Sequence, residues 1–305
     1  MRQSLAALLI AASAVLSGTA MAVEVPSPLV TTEWLAKNQD NVHVLDVRND
    51  PTSYKEGGHL IGAIRVDFAR LRETAMEEGV SIENMSVRGE AFQVLMRAAG
   101  VSTNQPVVLT HRSRNIDDVG HAAYLYWQLK LHGHDNVAIL DGGTTKWIAE
   151  SREVWGEDEE VEPGNFVAQP LRAALISNTN AVAAVLASKN GELLDARPFE
   201  FFVGLEKRSA VQKAGHIPGA ALFPFTATLK ADGTFREREA LAAAMKAAGV
   251  SYAQPVTVYC NTGHTAAITW FVLRELIGYR NVSLYDGSMV AWTRHGNAVQ
   301  AAVPR

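Results

Sequence analysis

Five short motifs occur twice in this chain, in the same order, and this repeat restricts the fold more than any other feature. The first two pairs are V-L-D-V-R (44–48) with L-L-D-A-R (193–197), and G-H-L-I-G-A (58–63) with G-H-I-P-G-A (215–220). The next two are A-A-G-V-S at 98–102 and again at 247–251, and Q-P-V-V-L (105–109) with Q-P-V-T-V (254–258). The last is Asp-Gly followed by a Trp five residues after the Gly, at 141–147 and 286–292. Such ordered matches predict two copies of one domain. The length of 305 residues agrees, because ordinary domains contain about 100–150 residues.

Each copy alternates strand-forming and helix-forming segments. In the second copy the predicted strands are 192–195, 255–259 and 282–285, and the predicted helices are 236–248 and 265–276. The strands are apolar on both faces, which is typical of a mostly parallel sheet covered by helices. We therefore expect an α/β protein of two tandem domains, each a mostly parallel sheet flanked by helices. Ligands of such folds bind beyond the carboxyl ends of the strands.

The repeat and the composition divide the chain into four segments. Residues 1–22 form a predicted signal peptide, 23–150 the first domain, 151–171 a solvated acidic linker that contains E-D-E-E, and 172–305 the second domain. The net charge of −4 and the lack of a Lys/Arg cluster give no reason to expect nucleic acid as a partner.

The N-terminal segment has the pattern of an exported protein. A short positive start, an apolar run at 5–16 and Ala-Met-Ala at 20–22 fit a cleaved signal peptide. The apolar run is shorter than the about 20 residues that a membrane span needs. We expect a periplasmic protein that is free of the membrane after cleavage; the alternative is a retained N-terminal anchor.

Cys260 is the only cysteine in the chain, so an intramolecular disulfide cannot form. It follows an apolar strand and precedes the loop N-T-G-H-T and a helix. Backbone N–H groups and the helix dipole can hold an anion at such a position and favour the nucleophilic thiolate. The alternative is a small, buried and inert thiol.

The first copy provides an internal comparison for this cysteine. Cys260 lies 65 residues after Asp195, and His111 lies 65 residues after the equivalent Asp46. A polar histidine is an odd replacement for a residue that only fills space. The difference therefore favours a reactive Cys260 and a first domain without catalytic function.

These motifs together resemble those of the rhodanese superfamily. D-x-R, G-H-I-x-G-A, the strand leading to C-x-x-G-x-T, and the Asp-Gly motif carry the likeness, which covers about 23–300. Tandem domains with a cysteine only in the second are similar to thiosulfate and 3-mercaptopyruvate sulfurtransferases. The resemblance implies that Cys260 accepts a sulfane sulfur from a small donor, becomes a persulfide, and passes the sulfur to a thiol or to cyanide, or to a protein acceptor.

The resemblance also implies the substrate-binding residues and the absence of a metal or organic cofactor. The backbone amides of the loop would surround the sulfur anion. The loop residues implied to bind the substrate are Asn261, Thr262, Gly263, His264 and Thr265. Gly263 would allow a turn that a Cβ hinders.

The loop departs from both donor types. Asn261 and Thr262 stand where thiosulfate-type loops usually carry cations, and His264 replaces the valine of mercaptopyruvate-type loops. His264 is either a group that tunes or protonates the sulfur or a packing residue. The family's substrate-binding arginine falls at about Phe201, with Lys207 and Arg208 as nearby substitutes, of which Arg208 is the candidate. The donor stays open.

Other residues of the repeated motifs occur in both copies and are therefore predicted to be structural. These structural residues are the histidines His59 and His216, the Asp–Arg pairs Asp46–Arg48 and Asp195–Arg197, which we expect to be buried, and the core tryptophans Trp147 and Trp292.

Two other functions compete with the enzyme. A periplasmic persulfide-sulfur carrier with little turnover of its own would use the same cysteine. A cysteine-dependent phosphatase needs an arginine six residues after the cysteine, and Ala266 stands there. The phosphatase alternative is therefore disfavoured.

Overall fold

The computed structural model describes residues 24–112, 115–116 and 118–301. The predicted signal peptide, 1–22, lies outside the described residues. No helix in these described ranges is long and apolar enough to cross a membrane.

The first domain contains a five-stranded parallel sheet and an antiparallel hairpin. Its strands are β1 (Leu29–Val30), β2 (His43–Arg48), β3 (Ile64–Asp67), β4 (Arg72–Glu77), β5 (Val80–Ser86), β6 (Val107–Thr110) and β7 (Val137–Leu140). Its helices are α1 (Thr32–Asn38), α2 (Pro51–Lys55), α3 (Gly89–Ala98), α4 (Val119–Leu131) and α5 (Gly143–Ala149). The sheet order is β1-β7-β6-β2-β3, and β4 pairs with β5 in the hairpin.

The second domain contains another five-stranded parallel sheet. Its strands are β8 (Ile176–Ser177), β9 (Glu192–Asp195), β10 (Ala221–Leu222), β11 (Val256–Tyr259) and β12 (Val282–Tyr285). Its helices are α6 (Thr179–Ser188), α7 (Phe199–Phe202), α8 (Arg238–Ala247), α9 (Ala266–Phe271) and α10 (Ser288–Arg294). The helix of α9 continues as a π-helix over Val272–Ile277.

The two sheets have the same topology, which confirms the repeat and the predicted fold class. The order β8-β12-β11-β9-β10 repeats that of the first sheet strand by strand. Every residue of β6, β7 and β11 is buried, as expected for parallel strands covered on both faces. The strands predicted at 192–195 and 282–285 have the predicted bounds, and the helix predicted at 236–248 is slightly shorter.

Equivalent helices form the contact between the domains. Helix α4 of the first domain packs on α9 of the second, and one hydrophobic core continues through both. The ring of Tyr126 lies 4.9 Å from that of Phe271 in an edge-on arrangement. Such a shared apolar core makes the pair of domains one packed body rather than two units joined by a tether.

The hairpin β4–β5 extends from the first domain onto the second. Its Ile82 and Met85 are buried in a cluster that also contains Tyr259, Tyr285 and Trp292 of the second domain. The hairpin therefore completes the core around the strand that precedes Cys260.

The segment predicted as an acidic linker, 151–171, runs over the surface of the first domain and is mostly exposed. Trp155 and His59 exchange two backbone hydrogen bonds of 2.8 and 3.0 Å. Phe166 is 2% exposed and packs in the shared core. These contacts anchor the segment along the first domain.

Candidate active site

Cys260 directly follows β11, beyond the carboxyl end of a central strand, where the sequence predicts the site. Its side chain is a free thiol and is only 2% exposed. The loop after it leads into α9, so the predicted strand–loop–helix arrangement is confirmed.

Ser288, at the start of α10, holds this loop, and sequence reasoning missed it. Its Oγ accepts hydrogen bonds from the N–H groups of Cys260, at 3.1 Å, and Gly263, at 3.0 Å. The same hydroxyl donates to the carbonyl of Tyr285 at 2.7 Å. The next amide of α10, that of Met289, donates to the carbonyl of Cys260 at 3.2 Å.

The backbone at Ser288 is unusual for a residue with a side chain. Its φ is +49°, in the left-handed region, and the equivalent residue of the first domain is Gly143 with φ +56°. Non-glycine residues in this region cost about 1–2 kcal/mol. The hydrogen bonds that its hydroxyl accepts from two backbone N–H groups explain why a serine stands here despite the strain. The sequence signal was present, since D-G-S in one copy corresponds to D-G-G in the other.

Several amides of the loop make no bond within the protein. In the part of the chain that the structure describes, the N–H groups of Asn261, Thr262, His264 and Thr265 have no acceptor. The amides of Cys260 and Gly263 are different, because Ser288 occupies them. The expected amide cradle thus reduces to four N–H groups.

Gly263 fulfils the conformational role predicted for it. Its φ is +79°, and a Cβ there would lie 2.8 Å from the carbonyl oxygen of Asp286. Asp286 is fully buried, and its carboxylate accepts hydrogen bonds from the first domain. The donors are a backbone amide and three side-chain groups: Ser86 N and Oγ at 2.9 and 2.7 Å, Arg88 Nη2 at 2.9 Å, and Tyr124 Oη at 2.8 Å.

The first domain also covers the loop itself. Arg72 Nη2 donates to the carbonyl of Thr262. The ring of His264 packs against two rings of the first domain, Phe68 at 4.7 Å and His121 at 4.9 Å between centroids. A Cβ on Gly120 would lie 2.6 Å from His264 Nε2, so only glycine leaves room for this contact. The site therefore lies between the two domains.

His264 is neutral in this environment. Burial lowers its pKa well below the usual range, and the nearby charges of His121, Arg72 and Arg208 lower it further. Its Nε2 is buried and has no hydrogen-bond partner among the described residues. A neutral imidazole between aromatic rings agrees with the packing alternative, and a role in proton transfer stays a prediction.

Arg208 is exposed, and its guanidinium lies 5.9 Å from the centroid of the Phe201 ring. Its positive charge is a minor cause of the lowered pKa of His264. Its binding role stays a prediction.

The residues predicted to be structural are buried and occupy equivalent places in the two domains. Arg197 pairs with Asp195 at 2.6 Å, and its Nη1 also donates to Asn261 Oδ1 at 3.4 Å. Asp46 and Arg48 form the matching buried pair. His59 and His216 each bond a backbone carbonyl through Nδ1, at 3.0 and 2.7 Å. Trp147 and Trp292 are 4% and 3% exposed.

His111 occupies the place of the cysteine in the first domain and is buried, as Cys260 is. It is fully buried, and burial, followed by the charges of His121 and Arg48, lowers its pKa to about 3. The imidazole is therefore neutral near pH 7. Its carbonyl accepts the amide of Thr144 at 2.9 Å, as the carbonyl of Cys260 accepts the amide of Met289, so the start of the two loops is held in the same way.

Comparison with known proteins agrees with this architecture. A family model described as a rhodanese-like domain matches 31–150 and 178–295. A protein of Saccharopolyspora erythraea named a thiosulfate sulfurtransferase is 35% identical over 280 residues, which cover 89% of this chain and 94% of that protein. The sulfur carrier protein TtuD of Thermus thermophilus is 31% identical over 293 residues, which cover 92% and 97%.

Solved structures show the same fold. SseA from Escherichia coli, a 3-mercaptopyruvate sulfurtransferase, has a TM-score of 0.73 at 26% identity, over 86% of this chain and 98% of that one. A complex of EanB with ergothioneine has a TM-score of 0.80 at 19% identity, over 91% and 71%, which shows the likeness of fold alone.

Proposed function

The chain belongs to the family of proteins built from rhodanese-like domains, and we propose on this basis that it is a sulfurtransferase that carries a sulfane sulfur on Cys260. The donor is a small anion, thiosulfate or 3-mercaptopyruvate, and the acceptor is a thiol or cyanide. The observation that carries the proposal is the free thiol of Cys260 at the start of a loop in which four N–H groups have no acceptor among the described residues.

The reaction has two halves. In the first, the Cys260 thiolate attacks the outer sulfur of thiosulfate, a new S–S bond forms, and the donor S–S bond breaks with its electron pair on the departing sulfite. In the second, cyanide or a thiolate takes the terminal sulfur, and the electron pair of the broken S–S bond returns to Cys260. Both the thiolate and the persulfide of Cys260 carry a negative charge on sulfur, which the free N–H groups of the loop would stabilise.

The protein around the loop supports this chemistry by fixing its geometry. Ser288 and the amide of Met289 hold the backbone on one side, and Arg72 holds it on the other. Preorganised amides do not have to reorient when the charge moves along the sulfur chain. Burial of the thiol also keeps water from the persulfide.

Mass spectrometry of the intact protein tests the proposal. After incubation with thiosulfate or 3-mercaptopyruvate, the mass should rise by about 32 Da, one sulfur atom, and return on addition of cyanide. Cys260→Ser is the control, and since the chain has a single cysteine the site of loading is unambiguous. Equal behaviour of the two proteins with both donors contradicts the proposal.

A sulfur carrier is the second candidate. The likeness to TtuD and the 2% exposure of the thiol favour it, because a carrier protects its persulfide until a partner opens the site. Repeated turnover with cyanide supports the enzyme. Loading once, with release only to a protein acceptor, supports the carrier.

We further propose that the protein is exported to the periplasm after cleavage behind Ala22. The proposal rests on the sequence of the segment 1–22. N-terminal sequencing of protein from the periplasmic fraction should begin at Val23. Recovery of the intact chain, in the cytoplasm or the membrane fraction, contradicts it.

A further inference from the structure

The Cys260 loop has no positive charge of its own. Residues 261–265 contain neither Lys nor Arg, and the one histidine among them, His264, is neutral. Thiosulfate carries two negative charges and mercaptopyruvate carries a carboxylate, so either donor needs a cation beside the thiol.

Arg72, at the start of the hairpin β4–β5 of the first domain, supplies a cation at this place. Its guanidinium lies 4.8 Å from the centroid of Tyr124 and 5.4 Å from that of Phe68, and the side chain is half-buried. Nε donates to the carbonyl of Asn84 at 3.1 Å, and Nη2 donates to Asn84 and to Thr262 of the loop. The aromatic rings and the carbonyls fix the direction of the guanidinium.

The charge and one nitrogen of Arg72 are left unused by the protein. Across residues 24–112, 115–116 and 118–301, no carboxylate pairs with Arg72, and its Nη1 donates to no acceptor. This contrasts with the arginines of the two D-x-R motifs, which are neutralised by buried aspartates. A half-buried guanidinium with a fixed orientation and a free N–H edge is suited to an anionic ligand.

Arg72 also borders a cleft that is open to solvent. It lines this cleft of about 560 Å³ together with Phe68, Asn49 and residues at the start of β4 and near the end of β5. Two carboxylates, Glu73 and Glu83, line the same cleft. Glu83 is paired with Arg294 at 3.1 Å, and Glu73 is exposed to solvent. Phe68 packs on His264 and Arg72 donates to Thr262, so the positive side of the cleft adjoins the Cys260 loop.

We propose that Arg72 binds the anionic end of the sulfur donor, with the first domain supplying the charge that the loop of the second domain lacks. The inference rests on the proposed function for the identity of the ligand. It assigns the first domain a direct part in substrate binding, and it makes Arg72 a determinant of preference for anionic donors over neutral ones.

Alkylation of the single cysteine tests the charge without relying on sulfur transfer. The rate with iodoacetate, an anion, is divided by the rate with iodoacetamide, its neutral analogue, for the full-length protein. We expect this ratio to fall about fivefold in Arg72→Gln, the order of magnitude for one charge several ångströms away in a partly buried site. Arg72→Lys keeps the charge and should keep most of the ratio.

Arg70→Gln is the matched control, because Arg70 is exposed, lies two residues away, and lines a different cavity. An unchanged ratio in Arg72→Gln overturns the inference, and so does an equal fall in Arg70→Gln, which would show a general charge effect. If Arg72→Lys falls as far as Arg72→Gln, the bond to Thr262 and not the charge is responsible, which also overturns it.

Sulfur loading separates this inference from the proposed function. If both hold, Arg72→Gln raises the KM for thiosulfate several-fold, with a smaller change in kcat. If the wild type never gains a sulfur but its alkylation ratio depends on Arg72, the proposed function fails while the anion site stands. If Arg72→Gln loads from thiosulfate with an unchanged KM and alkylation ratio, the site fails while the proposed function stands.

Discussion

Replacing Ser288 by glycine removes the hydroxyl that holds the Cys260 loop and at the same time relieves a strained backbone. The hydroxyl accepts the amides of Cys260 and Gly263, both buried. A buried N–H left without an acceptor costs about 1–3 kcal/mol, so leaving two without one costs about 2–6 kcal/mol. Glycine regains about 1 kcal/mol at a φ of +49°.

We therefore expect Ser288→Gly to be less stable than the wild type by about 1–5 kcal/mol, and Ser288→Ala, which keeps the strain, to be less stable by about 1 kcal/mol more. Urea unfolding followed by tryptophan emission measures these differences. The rate of loading of Cys260 by thiosulfate should fall in both variants, because two loop amides are released from their fixed positions.

The first domain offers the reverse change as a control. A Cβ on Gly143 would lie 2.4 Å from the carbonyl oxygen of His111, so Gly143→Ser should destabilise the protein without any compensating bond. If Ser288→Gly is as stable as the wild type and loads sulfur at the same rate, the hydroxyl does not hold the loop and the reasoning is refuted.

Three further predictions concern the contact between the domains and the effect of pH. Gly120→Ala should lower stability by about 1–3 kcal/mol through overlap with His264 and slow the loading of Cys260, and adding His264→Val should restore both in a double-mutant cycle; additive effects would contradict the contact. The isolated segment 172–305 lacks the hairpin 72–86 and its two buried apolar side chains, so it should unfold at lower urea and bind the dye ANS; equal stability and activity would show that the first domain is dispensable. Burial raises the pKa of Asp141 to about 6, so the native state binds this proton more tightly than the unfolded state does. As the pH rises from 4 to 7, the stability of the wild type should therefore fall relative to that of Asp141→Asn; parallel stability curves would contradict this.

The local elements were predictable because each copy of the domain buries its own strands. Four-residue runs such as 192–195 and 282–285 are apolar on both faces, and only a covered parallel sheet accommodates that pattern. The position of Cys260 followed from the same reasoning, since the chain leaves β11 at the edge where such sheets bind ligands.

The hairpin β4–β5 was not predicted, because its apolar residues are buried only against the other domain. Ile82 and Met85 follow neither a clear strand nor a clear helix period, and their partners are about a hundred or more residues away in the sequence. One signal was available: 40 residues separate Gly58 from Ala98, whereas 32 separate Gly215 from Ala247. The extra length of the first copy corresponds to the hairpin.

The contact between the domains retains the pattern of a symmetric dimer. The amide of Ser86 donates to Asp286, and the amide of the equivalent Phe235 donates to Asp141, the counterpart of Asp286, both at 2.9 Å. Such reciprocal contacts are what a two-fold interface between identical chains requires. The two halves therefore fit each other in the way that two copies of one domain would.

Three departures from this symmetry lie at the Cys260 loop. The second domain has Cys260 and Ser288 where the first has His111 and Gly143, and the first domain has the hairpin β4–β5, from which Arg72 contacts the loop. A change that served stability alone would have no reason to be confined to one of two equivalent sites. The joint location of these differences agrees with the proposed function, in which the second domain supplies the nucleophile and the first supplies the wall that faces it.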